Sequence, residues 1–324
     1  MIAFPLIAPR PPARAWRPRI LVAGDVMLDR YLYGRITRHN PDGQGNVFLI
    51  DRVEDRPGGA GAVAAIAQAM GAEVHYFGRL EPDPDGRLLV EALHAAGVEL
   101  HPCGFELLGT PVKVRMIGGE GKALPGRIDS EVTRELAARN AEYLVRAATR
   151  EGPWDAVLVA DHGKGQCTQQ LLAGLESLVP SDWMLVDPAR RRPWSEYPAG
   201  VAIKCNRIEY NLAEHGPAGT LPGRTIIRTE GAGGASLWTV GRSLPDGQRV
   251  EVFEHVPAAE PSGPIVDPIG CGDAVLAALG VCRALGLDWS ASVKMAMAAA
   301  AEQCTVLGAS AEPFKAGGLT GREH

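Results

Sequence analysis

Polarity along the chain follows two alternating rhythms. Short uninterrupted apolar runs at residues 19–24 (RILVAG), 73–78 (EVHYFG), 98–101, 156–160 (AVLVA), 183–186 (WMLV), 201–204 (VAIK), 225–228 (TIIR) and 236–240 (SLWTV) predict strands buried on both faces. Between them, residues 58–71 (GGAGAVAAIAQAMG), 85–97, 131–151, 169–179, 272–286 and 290–307 predict helices. In 85–97 the residues Leu88, Leu89, Ala92, Leu93 and Ala96 fall at helical spacing, and Gly97 is the stop signal. Strands that alternate with helices imply an α/β fold, a mostly parallel sheet covered on both sides. Two stretches break the rhythm. Residues 30–56 and 111–129 are polar, rich in β-formers and carry glycines, so they predict short strands projecting from the main sheet as a lid.

The ends differ from the middle. Residues 1–18 hold five prolines and three arginines, a pattern that predicts a disordered tail and breaks any apolar signal core. The organised domain is expected over 19–312, with a second short tail at 313–324. The 324 residues are 46% hydrophobic and 22% charged, with net charge −5. That balance gives no global basic field for nucleic acid or an anionic membrane, and no apolar run is long enough for a transmembrane helix. The six cysteines form no CxxC pair, which excludes a zinc ribbon or disulfide framework and suits a cytoplasmic setting. The eight histidines form no HExxH, and GxSxG and the Walker GxxxxGK[ST] are absent.

Candidate chemistry falls where predicted strands end, which is where ligands bind in open α/β sheets. The strongest motif is Asp267-Pro268-Ile269-Gly270-Cys271-Gly272-Asp273, a glycine-rich turn that feeds a helix N-terminus. Free amides there form an anion site, and a carboxylate at Asp273 is placed to take a proton from an attacking hydroxyl. Taken alone, Asp273 reads more readily as an N-cap, and the motif gains weight only beside the others. Asn206-Arg207-Ile208-Glu209 opens a helix; Asn206 and Glu209 either hold Mg²⁺ beside nucleotide phosphates or form a capping box. Thr229-Glu230-Gly231-Ala232-Gly233-Gly234 is either a phosphate-cradling loop or a hairpin turn. Lys164, in Asp161-His162-Gly163-Lys164-Gly165, offers positive charge to a phosphate or is a solvated loop lysine. Asp187 contacts metal-bound water or merely ends its strand. Asp29, in GDVMLD, suits a substrate diol, and Gly58 and Gly59 let backbone approach the same ligand.

The order GDVMLDRY, Gly-Gly-Ala, VADHGKG, VDP, CNRIE, RTEGAGG, DPIGCGD resembles the ribokinase-like (PfkB) carbohydrate kinases over residues 19–312, and looks most like the bacterial heptose-7-phosphate kinases. The resemblance implies a three-layer α/β/α sandwich with a β lid, and an ATP- and Mg²⁺-dependent phosphotransferase acting on a sugar-like substrate. It implies Asp273 as catalytic base, Gly270, Cys271 and Gly272 as anion hole, and Asn206 and Glu209 as the metal and phosphate motif. Thr229, Gly231 and Gly234 match the nucleotide loop, and Asp267 an aspartate near a monovalent cation, K⁺ in several members. Asp29, Gly58 and Gly59 match the substrate side, and Lys164 sits in a loop like the heptose kinases' DYxKG. It also implies a homodimer through the lid.

The departures cluster on the sugar side. Ala62 stands where an Asn usually contacts the sugar, the lid reads Asn40-Pro41-Asp42-Gly43-Gln44-Gly45 where heptose kinases carry a Ser-Pro-Glu-Ala-Pro-like stretch, and the second lid segment keeps Lys122, Arg127 and Asp129 as polar candidates. Cys271 and Pro268 replace Ala and Thr, and Met297 stands where an Asn often lies near the adenine. The expectation is a working kinase with a shifted substrate. Two alternatives stay open: a nucleoside kinase of the same superfamily, or a non-catalytic nucleotide- or sugar-binding protein.

Overall fold

The computed structural model describes residues 16–104, 106–118, 123–212, 224–243 and 249–315. Lys122, most of the N-terminal tail and residues 316–324 lie outside the described residues. Pro18 and Phe314, assigned to the tails from sequence, are buried against the body.

The strands are β1 (Arg19–Gly24), β2 (Val26–His39), β3 (Asn46–Gly59), β4 (Glu73–Gly78), β5 (Glu99–Pro102), β6 (Val112–Ile117), β7 (Ala123–Ser130), β8 (Ala156–Ala160), β9 (Met184–Asp187), β10 (Ala202–Asn206), β11 (Ile226–Thr229), β12 (Ala235–Ser243) and β13 (Arg249–Val256). The helices are α1 (Ala60–Ala69), α2 (Pro84–Ala95), α3 (Ala138–Glu151), α4 (Gln169–Glu176), α5 (Arg207–Leu212), α6 (Cys271–Ala284), α7 (Trp289–Gln303) and α8 (Glu312–Lys315).

Nine strands form the main sheet in the order β13-β12-β11-β10-β9-β8-β1-β4-β5. All neighbours from β11 to β5 run parallel; β12 and β13 add antiparallel strands at one edge. The central strand shows why the apolar runs are continuous. Ile20 and Val22 enter a core under α1, α2, α6 and α7, while Leu21 and Ala23 enter a second core under α3 and α4. Successive side chains point to opposite faces, so a strand covered by helices on both sides must be apolar at every position.

Two differences from the sequence pattern have physical causes. Residues 131–137 are extended, not helical, because Arg134 N donates to Lys164 O (3.1 Å) and Leu136 N to Gly165 O (2.8 Å). Pairing with a loop outweighs helix propensity there. The lid strands are not short. The β2 and β3 strands are 14 residues each, and with β6 and β7 they build a separate sheet in the order β3-β2-β6-β7. The β13 strand, missed in the sequence, carries an alternating RVEVFEHV pattern that signals a half-exposed edge strand.

Candidate functional site

Chain direction sets the site. The strands β1, β8, β9, β10 and β11 all end at the same edge of the sheet, so Asp25, Asp161, Asp187, Asn206 and Thr229 are delivered to one crevice, and α6 starts there.

Gly270 caps α6 in the left-handed region (φ 85°), and a side chain there would meet Ala309 Cα at 2.5 Å. Only glycine makes this turn without strain. Asp267 organises the loop: its Oδ1 accepts from Ile269 N and its Oδ2 from Gly308 N, both at 3.0 Å. In the first turn of α6 the amides of Gly272 and Asp273 donate to no acceptor among the described residues, so they remain free for an anion.

Asp273 lies in that turn and is half-buried. Burial pushes its carboxyl up to about 7; the Lys204 ammonium opposes the rise, Asp187 and Asp29 add to it, and Lys113 again opposes it. A carboxylate poised near neutrality is what general-base chemistry at pH 7 needs. Its charged neighbours therefore come from β9, β10, the root of β2 and β6, four separate elements.

Lys204 carried no chemical assignment in the sequence. It sits on β10, is 4% exposed, and donates to Asp187 Oδ2 at 2.7 Å. A methyl group on Gly272 would lie 3.0 Å from its Nζ. The ammonium beside Gly272 is thus Lys204's. Its apolar flanks in VAIK and its place two residues before Asn206 were the only sequence signal. Lys164 lies on the lid side, where its Nζ pairs with Glu131 Oε1 at 2.7 Å.

Asn206 and Glu209 form the capping box: Asn206 Oδ1 accepts from the amides of Ile208 (2.8 Å) and Glu209 (2.9 Å), and Asn206 N donates to Glu209 Oε2 (2.8 Å). This fixes the Glu209 carboxylate in place. Burial and the neighbouring Asp187 push Glu209 up, and burial pushes Asp187 up against the pull of Lys204. Two crowded carboxylates that resist ionisation are relieved by a divalent cation, so this donor set fits Mg²⁺ with its water shell. The loop after β11 is tight: Gly231 (φ 59°) and Gly234 (φ 92°) make its turns, Thr229 Oγ1 donates to Cys205 O (3.2 Å), and space beside Gly231 is open.

The lid supplies the other wall. Its ladder sets Arg56, Asp29, Lys113 and Asp129 in one cross-strand row, and Glu54, Tyr31, Arg115 and Arg127 in the next. Asp29 and Tyr31 are buried, so this face looks inward. Arg127 pairs with Asp129 and Arg56 with Glu54, both at 2.6 Å. Asp29, Lys113 and Arg115 keep no ion pair or hydrogen bond among the described residues, and Asp29 Oδ1, Tyr31 Oη and Arg115 Nε are buried without a partner. Gly58 packs under Asp29, where a Cβ would stand 2.6 Å from Oδ2; Gly59 (φ 59°) leaves room for the His162 ring, whose Nε2 is also unpartnered. Such atoms await a ligand with hydroxyls and negative charge.

Asp25, passed over in the sequence, holds the Lys164 loop. Its carboxylate accepts from the amides of His162, Lys164 (both 2.9 Å) and Gln166 (3.0 Å). Asp25, Asp161 and Cys167 place ligand atoms within 4.8 Å of one another. Asp161, however, is spent on Arg192 (3.0 Å) and Tyr197 (2.8 Å), so the cluster is a loop anchor.

The family model described as pfkB family carbohydrate kinase matches residues 211–315. A D-beta-D-heptose 7-phosphate kinase of Bordetella bronchiseptica is 30% identical over 305 residues, covering 88% of this chain and 90% of that protein. A bifunctional protein HldE of Azorhizobium caulinodans is 32% identical over 308 residues, covering 89% of this chain; the match spans 61% of that longer protein. Among solved structures, Arabidopsis thaliana ribokinase complexed with ribose and ATP superposes with a TM-score of 0.63 at 18% identity, over 95% of this chain and 100% of that one. The microbiome-derived acarbose kinase Mak1 gives 0.66 at 16%, over 94% and 99%.

Proposed function

Because the chain belongs to the pfkB family of carbohydrate kinases, we propose that it transfers the terminal phosphoryl group of ATP to a hydroxyl of a phosphorylated sugar, with Asp273 taking the hydroxyl proton. The observation that carries this reading is the half-buried Asp273 carboxyl, raised to about 7, in the same helical turn as two free amides and beside the Lys204 ammonium.

Each residue then has a task. Asp29 accepts hydrogen bonds from substrate hydroxyls and orients the acceptor toward Asp273. The amides of Gly272 and Asp273, with the Lys204 ammonium, stabilise charge on the phosphoryl oxygens as it develops. Gly270 and Cys271 set the turn that aims them. Asp187 holds Lys204 in place. Thr229, Gly231 and Gly234 form the floor for the nucleotide. Asn206 and Glu209 would hold Mg²⁺, which would supply neutralisation of phosphate charge. Asp267 ties the loop together, and K⁺ near it is a stimulant to be tested by exchange for Na⁺. The lid excludes water that would otherwise accept the phosphoryl group.

Lys113 and Arg115 support a phosphorylated acceptor. Two cations unpaired among the described residues, one row apart on the inner lid face, suit a phosphate dianion and have no use for a neutral nucleoside. Ala62, 3% exposed in α1, offers no amide to the sugar, so we assign heptose 7-phosphate a lower efficiency than another sugar phosphate. The outer lid face, with Val53 and Ile128 half or more exposed, supports a homodimer through the lid. No described helix is long and apolar enough to cross a membrane, and the six unbridged cysteines support a cytoplasmic location.

The test is Mg²⁺-dependent ATP consumption against sugars, sugar phosphates and nucleosides, with Asp273→Asn alongside. Turnover with a sugar phosphate that the variant abolishes is expected. Turnover restricted to nucleosides, or none despite ATP binding, defeats the proposal; ordinary efficiency on heptose 7-phosphate defeats the shifted-substrate part.

A further inference from the structure

Two thiols meet under the anion-hole loop. Cys271 is the first residue of α6, and Cys304 caps the end of α7. Their sulfurs lie 2.9 Å apart, and Cys271 Sγ also faces Ala300 O at 3.4 Å. A disulfide needs about 2.05 Å between sulfurs, so closing this pair takes a movement of about 0.9 Å. Both residues are partly exposed, whereas Cys103, Cys167, Cys205 and Cys282 are buried.

Cys304 fastens the other end of the same loop as well. Its carbonyl accepts from Val266 N (2.7 Å) and Asp267 N (3.2 Å). The segment from Asp267 to Cys271 is therefore tethered at both ends to residue 304. It is held at one end by hydrogen bonds and at the other by a sulfur contact. Among the described residues the Ala300 carbonyl is the other hydrogen-bond partner of the Cys271 sulfur.

We propose that Cys271 and Cys304 are a modification site, a dithiol that a disulfide of the glutathione class oxidises reversibly, and that the resulting bond switches phosphoryl transfer off. The second half rests on the assignment of this loop as the anion hole. Cys304 attacks the oxidant as a thiolate, forming a mixed disulfide and releasing one thiol. Cys271 then displaces the second, which leaves as a thiolate and takes up the proton Cys271 gives up. Two protein thiols become one disulfide, and the oxidant disulfide becomes two thiols. Burial and the neighbouring thiol hold the Cys271 thiol up, which makes Cys271 the poorer first attacker.

The consequence follows from position. Donors in an anion hole act over a narrow range of about 2.7–3.1 Å. On this proposal part of the sulfur closure falls in the Cys271 backbone, where a misplacement of about 1 Å is worth up to about a hundredfold in rate. An alanine at 271, usual in the family this chain resembles, lacks the device altogether.

The experiment incubates the full chain with oxidised or reduced glutathione. Oxidation is expected to remove two of the six titratable thiols, lower the mass by two hydrogens, and join the peptides holding Cys271 and Cys304. Turnover of ATP with the sugar phosphate should fall roughly 10- to 100-fold and return with dithiothreitol. Cys304→Ala should keep its turnover under both conditions, with Cys304→Ser as a second variant. A bond mapped to any other pair, a glutathione adduct that persists on Cys304, or a 271–304 bond with undiminished turnover each overturns the proposal. ATP affinity, measured by calorimetry on the same samples, reads the clamp without chemistry. A chain that forms the bond, loses ATP affinity and yet turns over no sugar when reduced indicts the kinase reading and upholds the dithiol.

Discussion

Asp273→Asn separates two consequences of one buried carboxylate. In the folded chain its carboxyl is raised from 3.8 to about 7, chiefly by burial. The unfolded chain binds the proton only below the ordinary value. Between pH 4 and 7 the native state therefore holds a proton that the unfolded state has lost, and stability falls as pH rises through this window. Above 7 the penalty is complete. A shift of about three units corresponds to roughly 4 kcal/mol, and partial solvent access to the half-buried group reduces this to roughly 2–4 kcal/mol. Asparagine keeps the shape and never ionises, so Asp273→Asn should be more stable than the parent at pH 8. At about 2 °C per kcal/mol for a large domain, the melting temperature should rise by roughly 5 °C. At pH 4 the two proteins should melt together. In the same variant turnover should fall by about three orders of magnitude, the range of a lost general base with its oriented contacts. In the parent, kcat/KM should rise about tenfold between pH 6 and 8, with an inflection near 7. The assays are calorimetric melting across pH 4–8 and a pH–rate profile at fixed ionic strength. Equal stability at pH 8, or an inflection in the ordinary carboxylate range, refutes the reasoning that burial tunes this group.

Lys204→Met should lower kcat by about a hundredfold, as for loss of one anion-hole donor, with little change in KM for the sugar; because Asp187 is then left buried and unpaired, Lys204→Met with Asp187→Asn should recover much of the lost melting temperature but not the rate. Lys113→Met and Arg115→Met should each raise KM for the phosphorylated sugar by about tenfold or more, the worth of one charged hydrogen bond, with a smaller effect on an unphosphorylated analogue; equal effects on both would remove the phosphate from this wall. Gly272→Ala places a Cβ 3.0 Å from Lys204 Nζ, and kcat should fall while the melting temperature moves little. Glu209→Gln should shift the Mg²⁺ concentration for half-maximal rate upward at unchanged sugar KM, read by a metal titration.

The alternation of apolar runs with helical patterns determined an α/β fold, because strands sandwiched between helices must be apolar at every position, and that requirement is written locally. The glycine-rich turn of DPIGCGD likewise fixed an anion site at a helix start, since φ at Gly270 and the free amides of the first turn are properties of that segment alone. Asn206 and Glu209 carried both of their readings in sequence, and the capping box is the one the structure shows, holding the Glu209 carboxylate without excluding the other.

Other features have no local code. Residues 131–137 carry helical propensity, yet their backbone pairs with the loop at Lys164 and Gly165, a partner that exists only once the chain has folded. Lys204 lies 68 residues before Gly272 in the sequence, and its ammonium meets that glycine only because β10 sits beside β9 at the edge where α6 begins. Lys113 and Arg115 carried no assignment in the sequence; the register of β6 against β2 places them in rows with Asp29 and Tyr31. A sequence specifies which face a side chain takes along its own strand; which strand lies alongside, and in what register, is set by the packing of the whole. Asp273 and the free amides beside it were therefore legible in one segment, while the charges that raise its carboxyl, the placing of Lys113 and Arg115 on the inner lid face and the thiol opposite Cys271 were decided by tertiary structure.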